Sequence, residues 1–411
     1  MTDAVDSTSA PRRSRLWPLS SADRLPAALA AAISLAVYVA TLAPGVTFKD
    51  SGELIVAALH FGVPHPTGYP LWTLLAGLFA LLPLGSGAWE VNLFSAVCAA
   101  GGAAITAALA HAMARRRGDP GEPGSVPRAA AVVISVAVGL VYAFSVSVWS
   151  QAVFAEVYTL HILVSAGFWW ALYRWYLEPE DARHFLLTVF VLALGMSNHH
   201  LMLALAPLPF LVALLRRRDL VWELAAYALA AGAIVYLALA SIADSDIAWE
   251  TAVRTGQLAV LALVALVLVR RRLQHWRLGL LILPTVALGL LPYAYMPLAS
   301  ATNPPMNWGY TQTADGFYYS VNRTPYRGPL SEQLMGTLGR LVGTAETAEG
   351  EADLPPAGAT SPKASATSLL SRFAARYVVE SSRSFTYFAW PLVLIAGFWL
   401  RRRRESFGWW A

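Results

Sequence analysis

The fold is decided by residues 185–215, which read FLLTVFVLALGMSNHHLMLALAPLPFLVALL. This stretch of 31 residues is too long for one transmembrane helix of about 20, and arginines flank it on both sides. Because basic residues collect on the cytoplasmic side of a membrane, we expect the chain to cross outward and return within it. Each arm, 185–198 or 201–215, supplies roughly 21 Å of helix for a hydrocarbon core of about 30 Å. The polar apex Asn198-His199-His200 is therefore predicted to face a cavity that opens to the outside.

Composition restricts the class of protein in the same direction. Of 411 residues, 57% are hydrophobic and 13% are charged, and the mean hydropathy is +0.51. Soluble domains carry about 25% charged residues, so an ordinary soluble enzyme and a disordered chain are excluded. The single cysteine, Cys98, excludes a disulfide-stapled secreted domain. The sequence predicts an all-α polytopic membrane protein.

Arginine clusters indicate which apolar runs cross the membrane. The clusters at 115–117, 216–218, 270–272 and 401–404 follow apolar runs, so the pI near 9.3 indicates positive-inside topology rather than a nucleic-acid partner. The apolar runs are 23–43, 69–84, 90–113, 128–148, 157–177, 185–198, 201–215, 221–242, 255–269, 278–298 and 384–400. If 69–84 lies in the outer leaflet instead of crossing, every cluster falls inside. This choice predicts about ten transmembrane helices with both termini cytoplasmic.

The same assignment divides the chain into tails, core and outer loops. The predicted segments are a cytoplasmic tail 1–22, a transmembrane core 23–298, an outer loop 299–376, and a last span with a basic tail 377–411. The core includes a first outer loop, 44–89, with a juxtamembrane helix. Within the outer loop 299–376, residues 344–367 are predicted to be disordered. No internal repeat is visible, which disfavours an inverted-repeat transporter.

The first outer loop carries two carboxylates in the run Thr47-Phe-Lys-Asp-Ser-Gly-Glu53. Asp50 and Glu53 fall on one helix face, where they predict either a capping box at the start of a surface helix or a general base at the membrane surface. Both interpretations can hold, because a base needs a rigid mount.

A rigid loop follows at 60–70, HFGVPHPTGYP, whose prolines and glycines force a fixed path. It is either a plain turn or a loop that presents His65 and Tyr69 for sugar or phosphate contacts.

Three further sets of polar residues are predicted on the outer side. Glu156 and His161 lie at the start of a helix, where Glu156 either stabilises the helix N-terminus or belongs to a functional site. Asn198, His199 and His200 are also candidates for a functional site, because polar residues at membrane depth are functional candidates by default. Adjacent histidines point in different directions on a helix, so no metal site is predicted. Asn307 and Trp308 open the last outer segment, in which Arg323 and Arg327 are candidates for phosphate or for lipid headgroups.

Five polar motifs occur outside the predicted membrane, at 47–53, 64–70, 155–161, 198–200 and 303–309. In order and spacing they resemble the bacterial protein O-mannosyltransferase-like family of GT-C glycosyltransferases, over roughly residues 26–330. The resemblance implies a GT-C bundle whose outer cavity receives a sugar from a polyprenyl phosphate. It shifts the interpretation of Asp50 and Glu53 from capping towards catalysis.

The resemblance also implies roles for single residues. Asp50 matches the position of a catalytic base, with Glu53 as its partner. Candidates for the donor phosphate are Arg323, Arg327, His65 and Lys49, and candidates for the substrate cavity are Glu156, His161, Tyr69, Asn198, His199, His200, Asn307 and Trp308. The expected reaction transfers mannose or another hexose with inversion to a hydroxyl, of a protein Ser/Thr or of a glycan, outside a bacterial inner membrane. No cofactor is required, and a divalent metal has no supporting ligand spacing.

Two other functions remain open on the sequence. A proton-coupled transporter would use Asp50 and Glu53 for coupling, but it would need ionisable residues near mid-membrane. A non-catalytic scaffold that binds lipid-linked sugar would tolerate loss of both carboxylates.

Overall fold

The computed structural model describes residues 21–115, 126–243, 246–270 and 273–323. Every regular element in these ranges is helical, which confirms the predicted all-α class. Several predictions lie outside the described residues: the tail up to residue 20, Arg327, the segment 344–367, the span 384–400 and the arginines 401–404.

Some of the predicted transmembrane helices are long and apolar enough in the structure to span a membrane. Three stretches of the described chain are long and apolar enough to cross a membrane: Ser21–Ala40, Ala88–Arg115 and Trp276–Ala301. The helices Arg128–Ala143 and Val146–Ala152 pass the same test together, with a bend of 68° between them. The count of ten spans therefore stays a prediction.

The chain forms two compact units, which we name the helical unit and the loop unit. The helical unit takes in the described residues up to Val37, Val97–Leu140 and Val157–Ala294. Its helices, of which α1, α4 and α5 run on into the other unit, are α1 Ser21–Ala40, α4 Ala88–Arg115, α5 Arg128–Ala143, α7 Tyr158–Leu177, α8 Ala182–Met196, α9 Leu208–Arg216, α10 Val221–Ala243, α11 Asp246–Arg270 and α12 Trp276–Leu290.

The helical unit packs around a core contributed by α7, α8, α9, α10, α12 and the 3-10 turn His200–Leu205. Its largest buried side chains include Phe168, Trp175 and Met202, and the rings of Trp175 and Phe185 lie 4.8 Å apart. In a membrane such side chains stabilise the unit by close packing rather than by removal from water. At Gly289, a Cβ would come within 2.6 Å of the Ala193 Cβ, so this glycine allows α12 to approach α8 closely.

The decisive stretch 185–215 is interrupted as its length predicts. The helix α8 ends at Met196, a 3-10 turn runs over His200–Leu205, and α9 begins at Leu208. Asn198 in the break is fully buried. An outward cavity at this apex stays a prediction.

The loop unit comprises Tyr38–Ala96, Val141–Glu156 and the described residues from Tyr295 onward. Its short helices are α2 Ser51–Leu59, α3 Pro70–Ala80, α6 Val146–Ala152, α13 Tyr295–Ala301 and α14 Ala314–Val321. α3 covers only 11 residues of the predicted non-spanning run 69–84, and Pro70 is its first residue, where a missing N–H costs nothing.

Two distant parts of the loop unit are joined by backbone pairing. The Val63 N–H donates to the Met306 carbonyl at 2.8 Å, and the Trp308 N–H donates to the Val63 carbonyl at 2.9 Å. The pairing requires glycine at position 62, because a Cβ there would clash with the Met306 carbonyl oxygen. The rigid loop 60–70 is thereby attached to the motif around Asn307.

Candidate functional site

Asp50 immediately precedes α2, but it does not cap this helix. Its side chain makes no capping hydrogen bond, and the residue is exposed. Among the described residues, no hydrogen bond or ion pair engages its carboxylate. The capping-box interpretation is therefore wrong for this helix start, because Glu53 does not return to the Asp50 N–H and is engaged elsewhere.

Glu53 binds His65 through both carboxylate oxygens. The His65 N–H donates to Oε1 at 2.6 Å, and the His65 Nδ1 lies 3.2 Å from Oε2. The other ring nitrogen, Nε2, lies 2.9 Å from the Tyr69 hydroxyl oxygen, and the two rings meet edge to face at 5.1 Å. The three side chains thus form a continuous chain of carboxylate, imidazole and phenol, which we call the Glu53–His65–Tyr69 chain.

The charge state of His65 is set by its neighbours. Burial lowers the pKa of the His65 imidazole, but the hydrogen bond to Glu53 and the negative charges of Glu53, Asp50 and Glu156 outweigh it. The net effect raises the pKa of His65 above its ordinary value, so the imidazolium persists to higher pH than in a free histidine. The three predicted site carboxylates of the loop unit therefore favour the protonated form of His65.

The backbone around these residues is unusual. Lys49, Phe61 and Tyr69 have φ values of 58°, 48° and 38°, in the left-handed region that side chains other than glycine disfavour. Each such residue costs about 1–2 kcal/mol, which the surrounding structure must offset. Every non-glycine residue with positive φ in the described chain lies in the loop unit. Strain of this kind concentrates at functional sites.

Glu156 is buried, and its backbone is held from two sides. The Trp72 indole Nε1 donates to the Glu156 carbonyl at 3.0 Å, and the Glu156 N–H donates to the Ser95 hydroxyl at 3.3 Å. Asn92 accepts the Ala155 N–H at 2.8 Å. Sequence reasoning missed Trp72, Asn92 and Ser95. Asn92 and Ser95 could have been identified from the sequence, because polar residues at 90, 92 and 95 interrupt an otherwise apolar run. Polar residues in a membrane helix indicate internal hydrogen bonding.

The predicted pair Asn307 and Trp308 lies at the paired end of the loop 60–70. The Asn307 Oδ1 accepts the Ser300 hydroxyl at 2.7 Å, so its side chain supports the turn after α13. The Trp308 side chain is 44% exposed and remains available to a ligand. Arg323 follows α14 directly, with a φ of 54°.

The helical unit gathers the remaining predicted residues. The His199 ring lies 5.4 Å from Tyr158 and 5.7 Å from His161, and His200 Nε2 lies 3.1 Å from the Tyr293 hydroxyl. Asn198 Nδ2 donates to the Val157 carbonyl at 3.2 Å. Its Oδ1 is buried and has no hydrogen-bond partner within the part of the chain that the structure describes. This polar cluster surrounds the break in the stretch 185–215.

One group of possible metal ligands was not predicted. Glu178, Asp181 and His184 bring one ligand atom each to within 4.8 Å of the others. Arginines already hold both carboxylates, since Arg174 lies 2.9 Å from Glu178 and Arg183 lies 2.6 Å from Asp181. Arg183 also holds the pKa of the Asp181 carboxyl below its usual value. These contacts describe a charged loop between α7 and α8 rather than an open cation site.

Comparison with known proteins finds a matching family model and similar proteins. Residues 50–222 match the family described as protein O-mannosyl-transferase TMEM260 N-terminal domain. The mouse protein O-mannosyl-transferase TMEM260 is 40% identical over 129 residues, which are 31% of this chain and 16% of the mouse protein. The Dictyostelium discoideum protein O-mannosyl-transferase tmem260 is 26% identical over an alignment of 217 residues, and the match covers 46% of this chain and 23% of that relative.

These matches have limited extent. They cover less than a quarter of the length of either relative. No solved structure matches the chain. The resemblance predicted from the motifs is confirmed in a coarser form: this chain is similar over residues 50–222 to protein O-mannosyl-transferases, which are glycosyltransferases, and the matched relatives are eukaryotic rather than bacterial.

Proposed function

We propose that this chain is a membrane glycosyltransferase of the GT-C type, with about ten spans, that moves a hexose from a polyprenyl phosphate to a protein hydroxyl. Mannose is the first candidate for the hexose, and the outer face of a bacterial inner membrane is the proposed site of reaction. Similarity to protein O-mannosyl-transferases supports the reaction class and the protein acceptor. The apolar helices support the membrane setting.

The observation that carries the proposal is the state of Asp50. Its carboxylate is exposed beside a rigid loop and makes no hydrogen bond or ion pair with the described residues, whereas Glu53 and the Glu156 backbone are held in place. A general base must reach the proton that it accepts, and an unengaged carboxylate on a fixed helix start satisfies that requirement.

The proposed reaction is a single displacement. The acceptor oxygen forms a bond to the anomeric carbon, the carbon–oxygen bond to the phosphate breaks, and its electron pair leaves with the phosphate. The acceptor proton passes to Asp50 as this bond forms, because a hydroxyl is a much weaker acid than a carboxyl group. Attack from the side opposite the phosphate inverts the configuration. Lys49, His65 and Arg323 are the described cations that could stabilise the leaving phosphate.

The direct test is transfer by the purified chain in lipid vesicles, with mannosyl-phosphoryl-polyprenol and a Ser/Thr peptide. We expect Asp50→Asn to lower the rate by about 100-fold or more, since general-base catalysis contributes about 10²–10⁴-fold. The matched control is Asp315→Asn, which removes an exposed carboxylate from the first turn of α14. Full transfer by Asp50→Asn, or retention of configuration in the product, contradicts the assigned role.

A cellular experiment identifies the acceptor. Envelope glycopeptides are compared by mass spectrometry between a deletion strain and strains complemented with wild type or Asp50→Asn. A hexose mass that wild type restores and Asp50→Asn does not supports the transferase. Binding of lipid-linked sugar without transfer supports a scaffold, and uptake driven by a pH gradient supports a transporter.

A further inference from the structure

The two carboxylates of the Thr47–Glu53 motif have different accessibility to a substrate. The Asp50 carboxylate makes no hydrogen bond or ion pair with the described residues. Both carboxylate oxygens of Glu53, in contrast, contact His65. His65 occupies one lone-pair site on each Glu53 oxygen, whereas the lone pairs of the Asp50 carboxylate are engaged by no described residue. The geometry therefore separates the roles of two residues that the sequence treats as a pair.

The hydrogen-bonding partners of His65 in the Glu53–His65–Tyr69 chain determine which of its ring nitrogens carries a proton. A carboxylate can only accept, so the Nδ1 that faces Glu53 carries a proton. In neutral His65 the Nε2 then accepts from the Tyr69 hydroxyl, and in the imidazolium it donates to the phenol oxygen. Both states keep the ring in one orientation. The position of the ring is thus independent of its charge, and protonation changes only the charge.

We propose that Glu53 is a positioning residue that holds His65 as an imidazolium whose charge acts through space on the phosphate of the sugar donor, and that Asp50 alone accepts the proton. This inference rests on the proposed glycosyl transfer. In that step the carbon–oxygen bond to the phosphate breaks and the phosphate gains the electron pair. His65 keeps its proton throughout, and its positive charge stabilises the negative charge that develops on the leaving oxygen.

The charged and titratable groups that face His65 all lie in the loop unit. Glu53 contacts its Nδ1, Tyr69 contacts its Nε2, and the charges of Asp50 and Glu156 act on it through space. The three carboxylates favour the imidazolium. Because the pKa of His65 is raised, the cation is present at low pH and is lost as pH rises through that pKa. The rate of sugar transfer should therefore fall at alkaline pH as His65 loses its proton. We call this fall the alkaline limb of the pH profile.

The first measurement follows His65 without any assay of activity. The full chain, labelled with ¹³C-histidine, is titrated by NMR in lipid nanodiscs, and the His65 signal is identified by its loss in His65→Gln. We expect Glu53→Gln to lower the His65 pKa by about one unit, since removal of a neighbouring opposite charge has effects of that size. Glu180→Gln is the control, because Glu180 is 81% exposed and pairs with Arg217 in the helical unit.

The second measurement is the pH profile of transfer. The alkaline limb of Glu53→Gln should move to lower pH, so that its activity falls by about tenfold relative to wild type at alkaline pH and changes little at acid pH. His65→Lys carries a cation to much higher pH, so its limb should move in the opposite direction. This variant keeps the inference testable if Glu53→Gln does not fold.

The outcomes separate this inference from the proposed function. A limb that moves as described, with a matching shift in the NMR titration, supports the inference. An unchanged His65 pKa in Glu53→Gln, or an equal loss of activity at every pH, overturns it. If wild type transfers no sugar while the NMR shift is present, the glycosyl-transfer function and the phosphate role both fail, and only the Glu53–His65 pairing stands.

Discussion

Glu90 and Glu53, which both lie in the first turn of a helix, show how two carboxylates acquire different tasks. Glu90 is 1% exposed, and its carboxylate accepts the N–H groups of Leu84, Gly85 and Gly87, the last at 2.6 Å. Its oxygens therefore serve the turn before α4. Glu53 instead holds an imidazole, and Asp50 makes no such contact. The partner, rather than the residue type, decides whether a carboxylate is structural, positioning or available to a substrate.

Replacing Glu90 with glutamine should destabilise the fold without changing the chemistry of the site. The amide nitrogen of glutamine would face a backbone N–H, and a buried donor without a partner costs about 1–3 kcal/mol. Unfolding of the full chain by denaturant in detergent measures this loss. Glu180→Gln, which makes the same change at an exposed carboxylate, should leave the free energy of unfolding nearly unchanged. Equal stability of the two variants would contradict the role given to Glu90.

At the level of elements, the loop unit is held together by contacts between segments far apart in sequence. The Tyr295 hydroxyl donates to the Gly62 carbonyl at 2.9 Å, and Val63 pairs with Asn307. Asn92 on α4 donates to the Ala43 and Gly45 carbonyls, both at 2.9 Å. These contacts fix the chain that precedes Asp50 and the loop that carries His65.

Gly62→Ala tests this attachment. The added Cβ would clash with the Met306 carbonyl oxygen and push the two segments apart. We expect lower stability together with loss of transfer, because the loop that carries His65 would move. Gly232→Ala is the matched control, since a Cβ there meets nothing within 4 Å. Proteolysis and transfer assays measure both effects. Normal transfer by Gly62→Ala would show that the pairing of Val63 with Asn307 does not position the site.

At the scale of the whole molecule, the orientation in the membrane follows from charge. Arg115, Arg174, Arg183 and Arg216–Arg218 lie at helix ends or in connections, where the positive-inside rule places them in the cytoplasm. The same rule predicts that the loop that carries His65 faces outward. This orientation is a prediction from sequence.

Single-cysteine labelling tests the orientation. Cys98 is buried, and Cys98→Ala gives a background without cysteine. In that background, His60→Cys at an exposed position of the loop unit should react with an impermeant maleimide in intact spheroplasts. Glu180→Cys should react only after permeabilisation. The reverse pattern would place the candidate site in the cytoplasm and exclude a donor in the outer leaflet.

The class of fold and one helix break could be predicted from local sequence patterns alone. Hydropathy and charge are properties of neighbouring residues, so the sequence was sufficient for the all-α class and for the break between α8 and α9. Asp50, His65 and Tyr69 were selected from short motifs and a family resemblance, and their roles stay predictions. The sequence was insufficient to separate the two carboxylates, because a spacing of three residues is equally typical of a capping box and of a paired site.

Only the tertiary structure determined which side chains contact one another. Glu53 meets His65 only because the chain reverses after α2, and Trp72 meets the Glu156 carbonyl across 84 residues of sequence. Such contacts depend on how distant segments pack, and no local pattern contains that information. Local patterns pointed to the residues of the candidate site as a prediction. Their division into an available carboxylate, a carboxylate that binds an imidazole, and a held imidazole follows from hydrogen bonds that form only in the folded chain.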